Sequence, residues 1–191
     1  KVYDGTPLTK DEVTASGEGF VKDEGATYKV TGTLTDVGET ANTFTYELKE
    51  GTKAGNYEIA KVEGKLKVTA ATDKVVVTIK GHKGSYTYNG EEQSVEGYDV
   101  TIPEGSAYTK NDITFNGHAK AKGTDAGKYD MGLNKSQFTN NNGNFTNVTF
   151  EVVEDGKLEI SPRSVTLTSA NAEKVYDGTP LTKDEVTASG E

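Results

Sequence analysis

The chain has 191 residues, of which 32% are hydrophobic, and it contains no cysteine. This amount of apolar material favours small modules with thin cores over one large core. The lack of cysteine excludes disulfides, cysteine-based zinc sites and thiol catalysis. Lysine and arginine total 21 against 30 acidic residues, and the net charge is −9. This negative charge argues against nucleic acid as a partner. No apolar run approaches the roughly 20 residues needed to span a bilayer, so we expect no membrane insertion.

Alternation of apolar and polar residues with a period of two predicts β-strands through most of the chain. The first run holds Tyr28, Val30 and Leu34. Later runs hold Phe44, Tyr46 and Leu48; Leu66 and Val68; Val75, Val77 and Ile79; Ile113 and Phe115; Val148, Phe150 and Val152; Leu158 and Ile160; and Val165 and Leu167. The 22 glycines leave little room for a long helix. The capping-box spacing of Thr9 and Glu12 predicts one helical turn.

An identical repeat links the two ends of the chain. The eighteen residues Lys1 to Glu18 recur without a mismatch from Lys174 to Glu191, 173 positions later. Identity at so many polar positions exceeds what a shared fold requires. We therefore expect the chain to be a slice of a tandem array of near-identical units.

A second, degenerate repeat divides the chain into modules. A predicted strand followed by Tyr-Asp-Gly or Tyr-Asn-Gly opens each module, and the tyrosines are Tyr3, Tyr88 and Tyr176. This register predicts a first β module that lacks its opening strand, a complete second module, and the opening strand and turn of a third. Their predicted bounds are 1–71, 72–161 and 162–191.

The third module consists only of its opening strand and turn. The first module has the remaining strands but lacks the opening one. We predict that the segment Arg163 to Ser169 either adds as a strand to the open edge of a neighbouring molecule's first module or folds back within its own chain. Adjacent copies of the same repeat are therefore expected partners.

The Tyr-Asp/Asn-Gly signature is interpreted as a structural turn. Its glycine can adopt positive φ, its Asp or Asn can bond the neighbouring backbone, and its tyrosine ring can cover the end of a module. The residues of this motif are Tyr3, Asp4, Gly5, Tyr88, Asn89, Gly90, Tyr176, Asp177 and Gly178.

The residues that could carry chemistry form no catalytic or metal-binding pattern. His82 and His118 lack the spacing of a zinc site or a hydrolase triad. No EF-hand spacing is present, and adjacent acids on turns are typical of solvated surface. We expect a protein that is not an enzyme and that needs no cofactor.

An asparagine-rich loop is the one candidate ligand site. Asn and Gly tolerate left-handed backbone angles, which favours a hairpin connection. As an alternative, the exposed amides could contact a glycan or a host protein. The candidate residues are Asn140, Asn141, Asn142 and Asn144.

Four motifs mark this organisation. They are Lys-Val-Tyr-Asp-Gly-Thr-Pro-Leu-Thr at 1–9 and 174–182, Thr-Asp-Val-Gly at 35–38, Gly-Asn-Tyr-Glu-Ile at 55–59 and Gly-Lys-Leu-Lys-Val at 64–68. Together they resemble the YDG and MBG-type repeats of bacterial cell-surface proteins. The resemblance covers essentially the whole chain and is weaker between Glu91 and Asn147. It implies a β-rich extracellular repeat of adhesin-like proteins, without catalytic residues, anchored to the cell wall through other parts of the parent protein.

The expected fold is all-β, with two tandem small modules. Short strands separated by turn signals favour an immunoglobulin-like sandwich, and a β-grasp-like module with a short helix is the alternative. The expected function is that of a non-enzymatic stalk or spacer, which projects an adhesive domain. Alternatively, the repeat itself binds mucin, another glycan or a host protein, with avidity supplied by repetition.

Overall fold

The computed structural model describes residues 1–189, and these residues form an all-β structure of sixteen short strands. Three single-turn 3₁₀ helices, Ala54–Asn56, Lys110–Asp112 and Lys135–Gln137, interrupt the loops. The strands are β1 (Ala26–Val30), β2 (Gly38–Asn42), β3 (Phe44–Leu48), β4 (Gly64–Val68), β5 (Val75–Gly81), β6 (Lys83–Thr87), β7 (Gln93–Glu96), β8 (Tyr98–Thr101), β9 (Ile113–Phe115), β10 (Lys120–Gly123), β11 (Gly127–Asp130), β12 (Phe138–Asn140), β13 (Val148–Glu154), β14 (Lys157–Ser161), β15 (Leu167–Ser169) and β16 (Val186–Ala188).

The chain divides into two compact units, each assembled from separate stretches of sequence. The first unit comprises Lys1–Ile79, Val100–Gly117 and Asn134–Val153. The second unit comprises Lys80–Asp99, His118–Leu133 and the residues from Glu154 onward. The module bounds given by the repeat stay a prediction.

The apolar alternation predicted eight of the strands. β1, β3, β4, β5, β9, β13, β14 and β15 contain its runs. Leu34 forms an isolated bridge with Leu8 instead of extending β1, and Val165 lies before β15. β8 also alternates, as Tyr-Asp-Val-Thr, but was not among the predicted runs. Other remaining strands are rich in polar residues, as in the sequence Gly-Glu-Thr-Ala-Asn of β2, which gives no period-two signal.

The predicted helical turn at Thr9 to Glu12 is wrong, because these residues are irregular. The Glu12 carboxylate pairs with Lys10 Nζ at 2.6 Å. Reciprocal capping occurs instead at two 3₁₀ helices, where an N-cap N–H donates to the side chain three residues later. The pairs are Thr109 N to Asp112 Oδ2 at 2.7 Å and Asn134 N to Gln137 Oε1 at 2.9 Å.

A three-element sheet in the second unit is built around β14. β11 pairs with β14 in antiparallel register, with Gly127 opposite Ile160. β6 pairs with the other edge of β14 in parallel register, with Thr87 opposite Ser161. The central position of β14 explains why Leu158 and Ile160 are among the most deeply buried side chains described.

The same arrangement recurs around β4 in the first unit. β2 pairs with β4 antiparallel, with Gly38 opposite Val68, and Val2 forms a parallel bridge with Thr69. These pairs occupy the positions that the sequence repeat makes equivalent to those around β14. The degenerate repeat of the sequence is therefore also a repeat of structure.

A second sheet has the order β13-β5-β8, so β5 is its central strand. The β5 side chains Val75, Val77 and Ile79 are no more than 5% exposed. Among the described residues, the buried apolar side chains begin only at Leu66. The first sixty or so residues therefore form strands and turns without a closed core of their own.

Two glycines allow the second unit to bring backbones into very close contact. β5 passes into β6 at Gly81, and β13 passes into β14 at Gly156. A Cβ atom built on Gly81 would lie 2.1 Å from the Gly156 backbone nitrogen. A Cβ on Gly156 would lie 2.5 Å from Met131 Cε. No residue other than glycine fits at the closest point of this crossing.

A row of backbone hydrogen bonds runs across the same crossing. The Gly97 N–H donates to Ala119 O at 2.8 Å, and the His82 N–H donates to Gly97 O at 3.1 Å. The Lys157 N–H then donates to His82 O at 3.0 Å. His82, between β5 and β6, and Gly97, between β7 and β8, are thus joined by backbone hydrogen bonds within the second unit.

The substitution Gly81→Ala is expected to lower the free energy of unfolding by about 3 kcal/mol, because its methyl group meets backbone atoms that cannot move aside. Urea denaturation measures the change. Gly143→Ala is the matched control, since a Cβ there meets nothing within 4 Å, and its effect should stay within about 0.5 kcal/mol. Equal effects of the two substitutions would contradict the close-approach argument.

Candidate functional site

The three signature turns share one geometry. Gly5, Gly90 and Gly178 have φ values of 79°, 84° and 77°, which lie in the left-handed region that favours glycine. In each turn the preceding Asp or Asn side chain accepts a hydrogen bond from the backbone N–H two residues later. The donor–acceptor pairs are Thr6 and Asp4 at 2.9 Å, Glu91 and Asn89 at 2.9 Å, and Thr179 and Asp177 at 3.0 Å.

The outer two turns are also closed by a lysine. Lys1 Nζ lies 2.6 Å from Asp4 Oδ1, and Lys174 Nζ lies 2.7 Å from Asp177 Oδ1. The hydrogen bond from Lys1, followed by those from Thr6, holds the pKa of Asp4 well below its usual range. The equivalent bond from Lys174 lowers the pKa of Asp177 to about 2. Both carboxylates therefore stay charged to a lower pH than an unpaired aspartate does.

The middle turn uses neutral groups for the same purpose. The Gln93 side-chain amide donates to Asn89 Oδ1 and to Thr87 O, each at 3.1 Å. No ion pair is needed there, because Asn replaces Asp at the second position of the motif.

The two identical copies of the turn differ in what their tyrosines contact. Tyr3 packs edge-on against Phe145, with ring centroids 5.4 Å apart and planes at 85°. Tyr176, which occupies the same place in the second copy, is 92% exposed. The geometry of the turn is therefore set by the residues of the turn itself. The tyrosine contact requires a residue distant in sequence, which for Tyr3 is Phe145.

Phe145 is the centre of an aromatic cluster in the first unit. It is 6% exposed and also meets Tyr108 edge-on, with centroids 5.1 Å apart. The Tyr108 hydroxyl donates to Asp112 O at 2.9 Å. Burial, and then the nearby Asp112 charge, raise the pKa of the Tyr108 hydroxyl to about 12.

The asparagine loop adds polar contacts beside this cluster. Asn144 Oδ1 accepts from the Val37 N–H at 2.8 Å, and Asn144 Nδ2 donates to Asp36 Oδ1 at 3.0 Å. The Asn144 side-chain amide therefore bonds both the Asp36 carboxylate and the Val37 N–H of the motif at residues 35–38. We call the set Tyr3, Asp36, Val37, Tyr108, Asn144 and Phe145 the junction.

The other three candidate amides are also engaged inside the first unit. Asn140 Nδ2 donates to Asn142 O and Phe145 O, each at 3.1 Å. Asn141 Nδ2 donates to Thr114 Oγ1 at 3.1 Å, and Asn142 Nδ2 donates to Asp112 Oδ1 at 2.9 Å. The asparagine loop is thus held by hydrogen bonds within the first unit. Its role as a ligand loop stays a prediction.

Sequence reasoning placed Asn144 in a candidate loop but missed Phe145 as the partner of Tyr3. A usable signal was present, because Gly-Asn-Phe at 143–145 corresponds to Gly-Asn-Tyr at 55–57. An aromatic residue that recurs after a Gly-Asn turn indicates a packing position common to the modules.

The two histidines occupy different environments. His82 lies at the corner after β5, with Nδ1 2.8 Å from Glu96 O and Nε2 3.4 Å from Asp99 Oδ1. The bond to the Glu96 carbonyl, followed by the Asp99 contact, raises the pKa of His82. His118 is exposed in the loop before β10.

Metal-ligating side chains are scattered over residues 1–189. In this range, no group of three or more His, Cys, Asp or Glu side chains could hold a metal ion. None of the helices there is both long enough and apolar enough to cross a membrane.

An all-β chain whose sheet and turn recur at the spacing of its sequence repeat is a modular repeat protein. Residues 75–162, slightly under half of the chain, match the family model of the MBG domain. This match confirms the resemblance to MBG-type repeats, a family of surface-protein repeats. Comparisons with curated proteins and with solved structures gave no significant match.

A double-mutant cycle tests the junction. Tyr3→Leu and Phe145→Leu should show a coupling energy of about 0.5–1.5 kcal/mol in urea denaturation, because their rings interact edge-to-face. Tyr176→Leu is the matched control, since it changes the same residue in the identical sequence. Its coupling to Phe145→Leu should be near zero, and equal coupling for both tyrosines would refute the contact.

The raised pKa of His82 can be followed by NMR titration of its ring protons. Asp99→Asn should lower the midpoint, while the Glu96 carbonyl bond keeps part of the elevation. Because the folded-state pKa is raised, the stability that His82 contributes is present below its unfolded-state pKa and is lost as pH rises through the folded value. Asp130→Asn, at a carboxylate that faces Lys157, should leave the midpoint unchanged.

Proposed function

We propose that this chain is a non-enzymatic repeat of a bacterial surface protein, acting as a stalk or spacer that projects an adhesive domain. The observation that carries the proposal is the repeated module. One sheet arrangement occurs around both β4 and β14, and one turn geometry occurs three times. Repetition of a structural unit extends reach in proportion to the number of copies.

The junction supports a stiff connection between successive modules. Within the first unit, Tyr3 and the Asp36-Val37 pair come from the predicted first module, and Asn144 and Phe145 come from the predicted second. Aromatic packing combined with directional amide hydrogen bonds restricts bending more than a flexible linker does. A spacer requires this property if each repeat is to add a fixed length.

The charge of the chain supports the same proposal. A net charge of −9 on 191 residues makes neighbouring copies repel one another and keeps them soluble. The site of action in this proposal is the outer surface of a bacterial cell, with attachment to the cell wall through other parts of the parent protein.

Small-angle X-ray scattering on proteins of one, two and four 173-residue repeats tests the spacer role. The maximum dimension should grow linearly with the number of repeats, because the junctions resist bending. The Phe145→Ala substitution, made in every repeat, should make growth approach the square-root dependence of a flexible chain. Square-root growth of the unaltered proteins would contradict the proposal.

The rival function is direct adhesion, and the same proteins test it on glycan arrays and immobilised mucin. A spacer gives no saturable binding with either one or four repeats. If four repeats bind tightly and one repeat binds weakly, the repeat is itself an adhesive unit that works through avidity.

A further inference from the structure

Two sheets of the chain pair their strands in the same register. β2 pairs with β4 in the first unit, and β11 pairs with β14 in the second, both antiparallel. Gly38, which opens β2, lies opposite Val68, and Gly127, which opens β11, lies opposite Ile160. Counted from these glycines, each residue of one sheet therefore has a structural counterpart in the other.

The buried faces of β4 and β14 are nearly interchangeable. β4 contributes Leu66 and Val68, and β14 contributes Leu158 and Ile160, all no more than 3% exposed. The turns that lead into β2 and β11 are also alike, namely Thr-Asp-Val-Gly and Thr-Asp-Ala-Gly. Apolar side chains of similar size replace one another in a core at little cost. Apolar packing therefore does little to distinguish β4 from β14 as the partner of either neighbouring strand.

The outer faces of the same strands carry opposite charge patterns. In the first sheet Glu39 on β2 lies opposite Lys67 on β4, with Glu39 Oε1 2.7 Å from Lys67 Nζ. In the second sheet Lys128 on β11 lies opposite Glu159 on β14, with Lys128 Nζ 3.5 Å from Glu159 Oε1. The acid and the base have therefore exchanged strands between the two sheets. We call Glu39–Lys67 and Lys128–Glu159 the reversed pairs.

A neighbouring row of charge on the same faces shows no such exchange. Lys65 of β4 and Lys157 of β14 occupy counterpart positions and are both lysines. Lys65 lies opposite Ala41, and its Nζ is 3.9 Å from Glu39 Oε2. Lys157 lies opposite Asp130, with Nζ 3.3 Å from Oδ1. Because a lysine stands here in both central strands, this row cannot tell one central strand from the other.

Exchange of strands between the two sheets would place like charges opposite one another. β2 against β14 brings Glu39 to Glu159, and β11 against β4 brings Lys128 to Lys67. Opposite charges directly across two antiparallel strands attract, and like charges there destabilise the pairing. Each exposed pair contributes little to the stability of its own sheet. The difference between correct and exchanged pairing is larger, because an exchange removes two attractions and adds two repulsions.

Strand exchange competes with correct folding in a chain of this kind. Both sheets lie within one chain of 191 residues, so each strand meets the wrong partner at high local concentration. Second copies of the chain offer the same strands. Misassembly and domain swapping between similar units are characteristic failures of repeat proteins. Similar modules in one chain therefore need a signal that distinguishes the correct strand partner from its counterpart.

We propose that the reversed pairs select the strand partners, directing β2 to β4 and β11 to β14 and opposing exchange of these strands between the two sheets or between copies of the chain. Such selection repels the wrong partner as well as attracting the right one. All four side chains are exposed, so the selection leaves the apolar packing of the buried faces unchanged. The proposal does not depend on the stalk role.

Reversal of one pair tests the proposal in the full chain. The double variant Glu39→Lys with Lys67→Glu keeps an attractive pair in the first sheet but gives both sheets the same charge pattern. The urea midpoint of its folded form should stay close to that of the unaltered protein. After refolding from urea at low ionic strength, its misassembled fraction should rise about tenfold. Size-exclusion chromatography and the protease sensitivity of the monomer measure that fraction.

Reversal of both pairs provides the rescue. The fourfold variant adds Lys128→Glu and Glu159→Lys, which restores the difference in sign, so recovery of native monomer should return to that of the unaltered protein. Salt at about 1 M should remove the differences, because it screens exposed charges beyond about 3 Å. Lys10→Glu with Glu12→Lys is the matched control, since it reverses an exposed pair outside the strands. Unchanged recovery of the double variant, an equal loss in the control, no rescue, or a difference that persists in salt would overturn the proposal.

Cysteine crosslinking identifies the exchanged strands directly, because the chain has no cysteine of its own. Pairing of β2 with β14 in the shared register places residue 41 opposite residue 157. Proteins carrying Ala41→Cys with Lys157→Cys are refolded and treated with a short thiol-specific crosslinker. The crosslinked yield should be at least about fivefold higher when Glu39→Lys and Lys67→Glu are also present. Equal yields with and without those two substitutions would show that the reversed pairs do not govern the exchange.

Discussion

The second unit depends on the approach of two backbones at Gly81 and Gly156. Because neither residue has a Cβ, β5 and β13 pass into β6 and β14 at one crossing, with the Gly156 nitrogen 2.1 Å from where a Cβ of Gly81 would stand. The corner is then closed by backbone hydrogen bonds through His82 and Gly97. Both β6 and β14 of the sheet β11-β14-β6 begin just after this crossing.

The equivalent glycine in the first unit makes no such close contact. Gly64 corresponds to Gly156, yet a Cβ on Gly64 would meet only Asn42, at 4.0 Å. The sheet around β4 still forms, because β2 and Val2 satisfy both of its edges. Residues 13–16 and 57–62 of this unit are irregular.

The sequence predicted the strands whose side chains alternate between core and solvent. β5 illustrates this success, since Val75, Val77 and Ile79 all point into the core. β2 and β10 were missed because they are held by backbone pairing with few apolar side chains, and pairing leaves no period in the sequence. The helical turn predicted at Thr9 is absent, and Glu12 pairs with Lys10 there.

The candidate site could be predicted only as far as its local parts. Gly5 and Asp4 could be assigned to a turn, because glycine and aspartate act within a few residues. The contact of Tyr3 with Phe145 joins positions far apart in sequence, and only the fold brings them together. The sequence Val-Thr-Ala is irregular at residues 13–15 but forms β16 at residues 186–188, where it pairs with β15.

The closure of the outer turns within six residues has a genetic consequence. Lys1, Asp4 and Thr6 bond one another, and Lys174, Asp177 and Thr179 repeat the same bonds. A crossover between two gene copies inside this identical segment rebuilds the same turn from either parent. The number of repeats can therefore change from one generation to the next without any altered residue at the seam.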